Sequence, residues 1–160
     1  MAVFRSTIFG EVDVAADGAY VTREVAAGER TLTRSLFLGM ELGQGVLDRA
    51  AALVDTLRAL DVRAREIIET NADNVPGYVS FHLEELDAGV LRELFGAERA
   101  SIGREAFLAR LDLVGVSVHA APPEGFSLVL DYSVGRSVTD QILAVRFDME
   151  GRALAVNHES

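Results

Sequence analysis

The sequence has 160 residues, of which 49% are apolar, and a formal net charge of −10. This length and composition predict one folded domain with a sizeable core, and the charge argues against a nucleic-acid partner, whose phosphates require Lys or Arg. The absence of cysteine excludes disulfide bonds, thiolate metal ligands and thiol nucleophiles. With neither a signal-peptide pattern nor an apolar run of roughly 20 residues, we expect a cytoplasmic protein that makes no membrane contact.

Strands are predicted first, over residues 6–40. Apolar residues alternate around Ile8, Val12 and Val14, with Gly10 at the position of a bulge. Two further strands follow, separated by the turn-like sequence 27–29. In the second of these strands, hydroxyl-bearing residues occupy every other position, which is typical of a sheet with one solvated face.

Helices are predicted next, over residues 44–111. Between residues 44 and 60 the apolar side chains recur at helical spacing and form one stripe. Asp61 is a suitable N-cap for a second helix, and the polar stretch 71–78 predicts a loop.

The segment YVSFHLEELD, residues 78–87, contains a histidine and three carboxylates among apolar residues. It indicates either a metal or acid-base site or an amphipathic helix that covers the sheet. We favour the helix, which would bury Val79, Leu83 and Leu86, place His82 to one side and expose the two glutamates.

Capping residues predict two short helices after this segment. Asp87 is a suitable N-cap for the first, which Gly96 would end, and Ser101 is a suitable N-cap for the second.

Strands return over residues 113–159, with turns predicted at 122–125 and 148–151. Strands, helices and strands therefore occupy separate blocks of the chain. This order predicts a single α+β domain, residues 1–160, in which N-terminal and C-terminal β-hairpins form an antiparallel sheet packed by the central helices.

Motifs for catalysis are few. His82 and Glu85 are spaced i, i+3, which would bring them together on a helix, but one such pair does not make a metal site. We interpret His82 as a partly buried helix residue held by a local hydrogen bond, and His119 and His158 as surface or structural residues. We interpret the polar segment 131–141 as a solvated connection with Gly135 in a left-handed conformation. The sequence contains no dinucleotide-binding, phosphate-loop or nucleophile-elbow motif, and we predict no metal and no cofactor.

Three segments resemble a bacterial family of uncharacterised proteins, the domain of unknown function numbered two thousand and four. They are FGEVDV near the start, FHLEEL in the middle and DYSVG…VTDQILAVRFDMEGRALAVNHES at the end. Small acidic families of this kind are proposed to be immunity proteins encoded near toxin genes. The resemblance implies such a role and carries no catalytic residues. The chain departs from the expected pattern in lacking tryptophan, and Tyr20 is the candidate replacement in the second strand.

We therefore expect a non-enzymatic protein-binding module whose acidic face neutralises a basic protein such as a toxin. This expectation is compatible with either a monomer or a dimer. The expected contact residues are Glu84, Glu85, Asp87, Asp131 and Asp140.

The alternative is a small-ligand-binding or metal-binding protein, or an enzyme. Its site would lie between the helices and the C-terminal sheet, and its residues would be His82, Glu85, His119 and Asp131.

Overall fold

A computed structural model describes residues 2–27, 30–121 and 125–160. Strands and helices follow one another in the three predicted blocks, and the α+β class is confirmed. The N-terminal strands are β1 (Ala2–Ser6), β2 (Gly10–Val14), β3 (Ala19–Ala27) and β4 (Arg30–Leu38). The helices are α1 (Gln44–Val54), α2 (Leu57–Thr70), α3 (Val75–Glu85), α4 (Ala88–Phe95) and α5 (Arg104–Leu108). The C-terminal strands are β5 (Asp112–Ala121), β6 (Gly125–Ser133), β7 (Ile142–Phe147) and β8 (Ala153–Glu159).

Six strands form one sheet in the order β3-β4-β5-β6-β7-β8. Every neighbouring pair is antiparallel except β4 and β5, which are parallel. The purely antiparallel sheet expected from the sequence is therefore wrong at this one junction. The reason is that the whole helical block lies between β4 and β5 and returns the chain to the same end of the sheet, as a crossover must.

The core lies on one face of this sheet. In each strand from β4 to β7, alternate apolar side chains are buried on that face, as the period of two requires. These residues are Leu36, Leu38, Val116, Val118, Leu128, Leu130, Leu143 and Val145. Helix α2 packs here, where the Tyr132 hydroxyl donates to Asp61 Oδ1 over 2.7 Å and the Arg65 guanidinium lies 5.1 Å from the Tyr132 ring centre. None of the helices in the described residues is long and apolar enough to cross a membrane.

The hairpin of β1 and β2 forms a separate two-stranded sheet. Its turn is held by Arg34, which donates to the Ile8 carbonyl over 2.8 Å, and by Thr7, which donates to Asp55 over 2.7 Å and 2.8 Å. The predicted strand from residue 6 is therefore wrong, because a turn occupies residues 7–9. Gly10 begins β2 opposite Ser6 with no register shift, so it is not a bulge.

Helix boundaries differ from the prediction at residue 55. The apolar stripe from 44 to 60 is divided between α1 and α2, and Asp61 lies inside α2 rather than at its start. The Thr56 hydroxyl donates to the Leu53 carbonyl and the Asp55 carboxylate binds the hairpin turn, so both side chains favour a break there.

The remaining helix boundaries show which capping predictions hold. Asn71 Oδ1 accepts amide hydrogens of residues 73–75, so the predicted loop 71–78 ends early and α3 begins at Val75. Asp87 caps α4 and Gly96 ends it, as expected. Ser101 belongs to a short 3₁₀ turn and does not cap a helix, because α5 starts only at Arg104.

The predicted C-terminal strands are all present. The turn at 148–151 is confirmed, with Asp148 Oδ1 accepting the amides of Glu150 and Arg152, and with Gly151 at φ +75°. Residues 28–29 of the first predicted turn and residues 122–124 of the second lie outside the described residues.

Replacing Tyr132 by Phe tests the attachment of α2 to the sheet. The substitution removes the hydroxyl that donates to Asp61, so we expect a loss of about 1–2 kcal/mol in the free energy of unfolding, measured by denaturant titration. Tyr20→Phe is the matched control on the exposed face and should change stability by less than about 0.5 kcal/mol. Equal effects of the two substitutions would show that the hydrogen bond from Tyr132 to Asp61 does not stabilise the fold.

Candidate functional site

The second face of the six-stranded sheet is not covered by any helix of the described residues. The side chains on it alternate with the buried ones, and we call this surface the open face. Its members include Tyr20, Thr22, Ser35, Phe37, Ser117, His119, Ser127, Val129, Asp131 and Arg146. The alternation of polar residues on β4 predicted this solvated face, which is a broad surface available to a partner.

An aromatic row crosses three strands of the open face. Tyr20 pairs with Phe37 across β3 and β4, and Phe37 pairs with His119 across β4 and β5. The rings of Phe37 and His119 are stacked with their centres 4.7 Å apart, while Tyr20 and Phe37 are 71% and 40% exposed. Exposed aromatic side chains held by their neighbours are the kind of residue that dominates protein interfaces.

The sequence did not reveal this row. His119 and Phe37 are far apart in the chain, and the parallel register of β4 and β5 brings them together. Alternation of residues could place each side chain on a face, but only the strand order could show that the three side chains adjoin.

Asp131 occupies the other end of the open face. It pairs with Gly115 on β5, and a β-carbon at position 115 would lie 2.8 Å from Asp131 Oδ2. Burial, reinforced by the negative charge of Glu159 and opposed by Arg136, raises the pKa of Asp131 to about 6. Arg136 is itself held in place, since it donates to Thr33 Oγ1 over 2.6 Å and to the Val114 carbonyl over 2.8 Å.

The five acidic residues expected to contact a partner do not form one face. Glu84 and Glu85 are exposed on α3, on the side of the sheet that carries the helices. The Asp87 carboxylate caps α4 by accepting the Val90 amide hydrogen over 2.9 Å. Asp131 lies on the open face, and Asp140 is exposed in the β6–β7 loop, residues 134–141, where Gln141 donates to it.

His82 is completely buried, where partial burial at the side of α3 was predicted, and the expected local hydrogen bond is present. Its Nδ1 donates to the Tyr78 carbonyl over 2.8 Å, and its Nε2 lies 3.0 Å from the Thr139 hydroxyl. Because a carbonyl can only accept, Nε2 of the neutral ring accepts from Thr139. Burial is the main cause that lowers the pKa of His82, opposed by the bond to Tyr78 and reinforced by His158.

The four residues of the alternative ligand site are not brought together. His119 stacks on Phe37 on the open face, whereas His82 lies in the core among the rings of Tyr78 and Phe107. Glu85 is exposed on α3. Within residues 2–27, 30–121 and 125–160, no group of three or more His, Asp or Glu side chains could hold a metal ion.

His158 has a structural environment. Its Nε2 donates to Gln141 Oε1 over 2.8 Å, and its ring lies edge-on to Tyr78 with the centres 5.1 Å apart. Tyr78 is buried beside it and donates its hydroxyl to the Gln141 carbonyl. Burial, opposed by hydrogen bonds to Ser133 and Val134, raises the pKa of Tyr78 to about 12, so this phenol stays neutral.

Replacing Gly115 by Ala tests the close approach of Asp131 to β5. The new methyl group would lie 2.8 Å from Oδ2 and 3.2 Å from the Asp131 β-carbon, so we expect a loss of about 1–3 kcal/mol in unfolding free energy. In the double variant with Asp131→Ala most of the crowding disappears, and a double-mutant cycle should give a coupling of about 1 kcal/mol. Simple additivity would show that the two residues do not crowd each other.

Replacing Asp131 by Asn tests the pKa of the carboxyl group. Because its pKa is raised in the folded state, protonation stabilises the fold below about pH 4, and this contribution is lost as the pH rises through about 6. The neutral Asn should therefore make the protein more stable than the wild type at pH 8, by about 1–2 kcal/mol, with little difference at pH 4. A difference that does not vary with pH in urea titrations would refute the raised pKa.

Comparison with protein-family models, with curated proteins and with solved structures gave no match. The resemblance to a family of uncharacterised bacterial proteins therefore stays a prediction. Function is therefore inferred from the chemistry of the open face and of the enclosed His82.

Proposed function

We propose that the protein is a non-enzymatic binding module that uses the open face of its sheet to contact another protein. The observation that carries this proposal is the one-sided fold, which leaves the aromatic row of Tyr20, Phe37 and His119 uncovered. Rigid strands hold these rings, so little side-chain entropy is lost when a partner buries them.

The charge of the molecule indicates the chemistry of the partner. A net charge of −10 attracts a basic protein and repels nucleic acid and anionic membranes. Glu84, Glu85 and Asp140 lie away from the aromatic row, so their expected contribution is to attract the partner during encounter. Asp131 is the one expected acidic contact that lies on the open face itself.

Neutralisation of a toxin is the concrete form of this proposal. An acidic protein that covers a basic active site blocks access of the substrate, which is the role implied by the family resemblance. The enclosure of His82 favours binding over catalysis, because both ring nitrogens are already engaged by Tyr78 and Thr139. A general base needs a nitrogen within reach of the substrate.

The first experiment identifies the partner and then tests the surface. The full chain is used to capture proteins from its host lysate at low and moderate salt, and a stoichiometric basic partner that is lost at the higher salt is expected. With that purified partner, Phe37→Ala should weaken binding about 10–100-fold, mainly through faster dissociation measured by surface plasmon resonance.

Two control variants separate contact from attraction. Phe81 on α3 is 39% exposed, almost as much as Phe37, but lies outside the open face, so Phe81→Ala should leave affinity nearly unchanged. Glu84→Arg with Glu85→Arg should slow association in a salt-dependent way and leave dissociation unchanged. Equal weakening by Phe37→Ala and Phe81→Ala, or capture of no basic protein, would refute the proposal.

A further inference from the structure

We propose that His82, Thr139, Gln141 and His158 form an acid-sensitive latch. While His82 is neutral, the latch holds the β6–β7 loop and β8 against α3, and it opens when His82 takes up a proton. This inference concerns the side of the sheet that carries the helices and does not depend on the open face.

The geometry of the latch is a continuous chain of hydrogen bonds. The Gln141 backbone amide donates to Thr139 Oγ1 over 3.1 Å. The Thr139 hydroxyl in turn donates to His82 Nε2 over 3.0 Å, and His82 Nδ1 donates to the Tyr78 carbonyl over 2.8 Å. The side chain of Gln141 continues the chain, because its Oε1 accepts from His158 on β8 over 2.8 Å. Three separate elements are therefore joined through one neutral imidazole.

Protonation of His82 reverses one bond of this chain. The charged ring carries a hydrogen on both nitrogens, so Nε2 can no longer accept from Thr139. The hydroxyl oxygen would then receive hydrogens from both His82 and Gln141, and its own hydrogen would lose its acceptor. The loss of an acceptor by the half-buried Thr139 hydroxyl and the presence of a cation on the fully buried His82 both destabilise the closed arrangement.

The surroundings offer no carboxylate in contact with the ring among the described residues. On α3, Tyr78 is neutral and Glu85 is exposed. On α5, the Phe107 ring packs beside His82, and the Arg104 guanidinium donates instead to carbonyls at the end of α2. In the β6–β7 loop, the Asp140 carboxylate is exposed and accepts from the Gln141 amide group.

On β8, His158 reinforces the lowering of the His82 pKa, and Glu159 next to it in the chain is exposed. Burial therefore favours the neutral ring, and the bond to the Tyr78 carbonyl opposes it without reversing the direction.

The direction of the pH effect follows from linkage. An opened segment exposes His82, whose ordinary pKa is 6.5, whereas the closed state holds the pKa lower because the ring is buried. Opening therefore becomes easier as the pH falls below about 6.5, and the opening constant should rise by up to about tenfold between pH 7.5 and 5.5. The Asp131 carboxyl acts in the opposite direction on global stability, since its pKa is raised, so a local measurement is required.

Two measurements on the full wild-type chain test the latch. Long-range ¹⁵N NMR of the histidines should show His82 as the Nδ1–H tautomer at pH 7.5, with Nε2 unprotonated. Hydrogen exchange should show that the protection factor of the Gln141 backbone amide falls several-fold, by up to about tenfold, between pH 7.5 and 5.5. Amides of the β1–β2 hairpin serve as the internal reference and should keep their protection.

Three variants identify the residue responsible. Thr139→Val should lower protection of the β6–β7 loop at every pH, and His82→Gln should abolish the response to acid. His158→Gln, which removes the other histidine, should retain that response. If the wild-type His82 titrates without loss of protection at Gln141, or if the response persists in His82→Gln, the latch does not exist.

Discussion

A six-stranded sheet whose row of large, fully buried apolar side chains lies on one face requires a cover for that face alone. In the described residues the cover consists of helices α1 to α5 and the β1–β2 hairpin over a continuous core, and polar contacts fix the hairpin and α2 in place. Burial of the apolar face provides most of the favourable free energy. Because the cover is one-sided, the polar and aromatic side chains of the other face remain exposed to solvent and to partners.

Local sequence signals predicted much of this architecture. The block order, the four C-terminal strands, the cap at Asp87 and the turn ending at Gly151 all depend on neighbouring residues, and sequence patterns report such interactions well. The break at Asp55 was not predictable in the same way. The Asp55 carboxylate is bound by Thr7, a residue of a distant hairpin, and the spacing of apolar residues along a helix cannot indicate that contact.

The candidate sites depended still more on distant contacts. Sequence spacing placed Glu84 and Glu85 in solvent correctly, but it put a partly buried His82 at the side of the apolar stripe rather than fully in the core. Burial of His82 requires Thr139, Phe107 and His158, which come from three other parts of the chain. The segments FHLEEL and VTDQ meet at the bond between His82 and Thr139.

The parallel pairing of β4 and β5 also constrains how the chain can fold. Strands β5 to β8 form an antiparallel meander whose pairings are local, and β3 with β4 is a hairpin. The contact between these two units closes a loop that contains every helix, so its entropic cost is the largest of any strand pairing in the sheet. The aromatic row of the open face crosses this junction, since Phe37 lies on β4 and His119 on β5, so the row is complete only when the strand pairing with the largest closure entropy has formed.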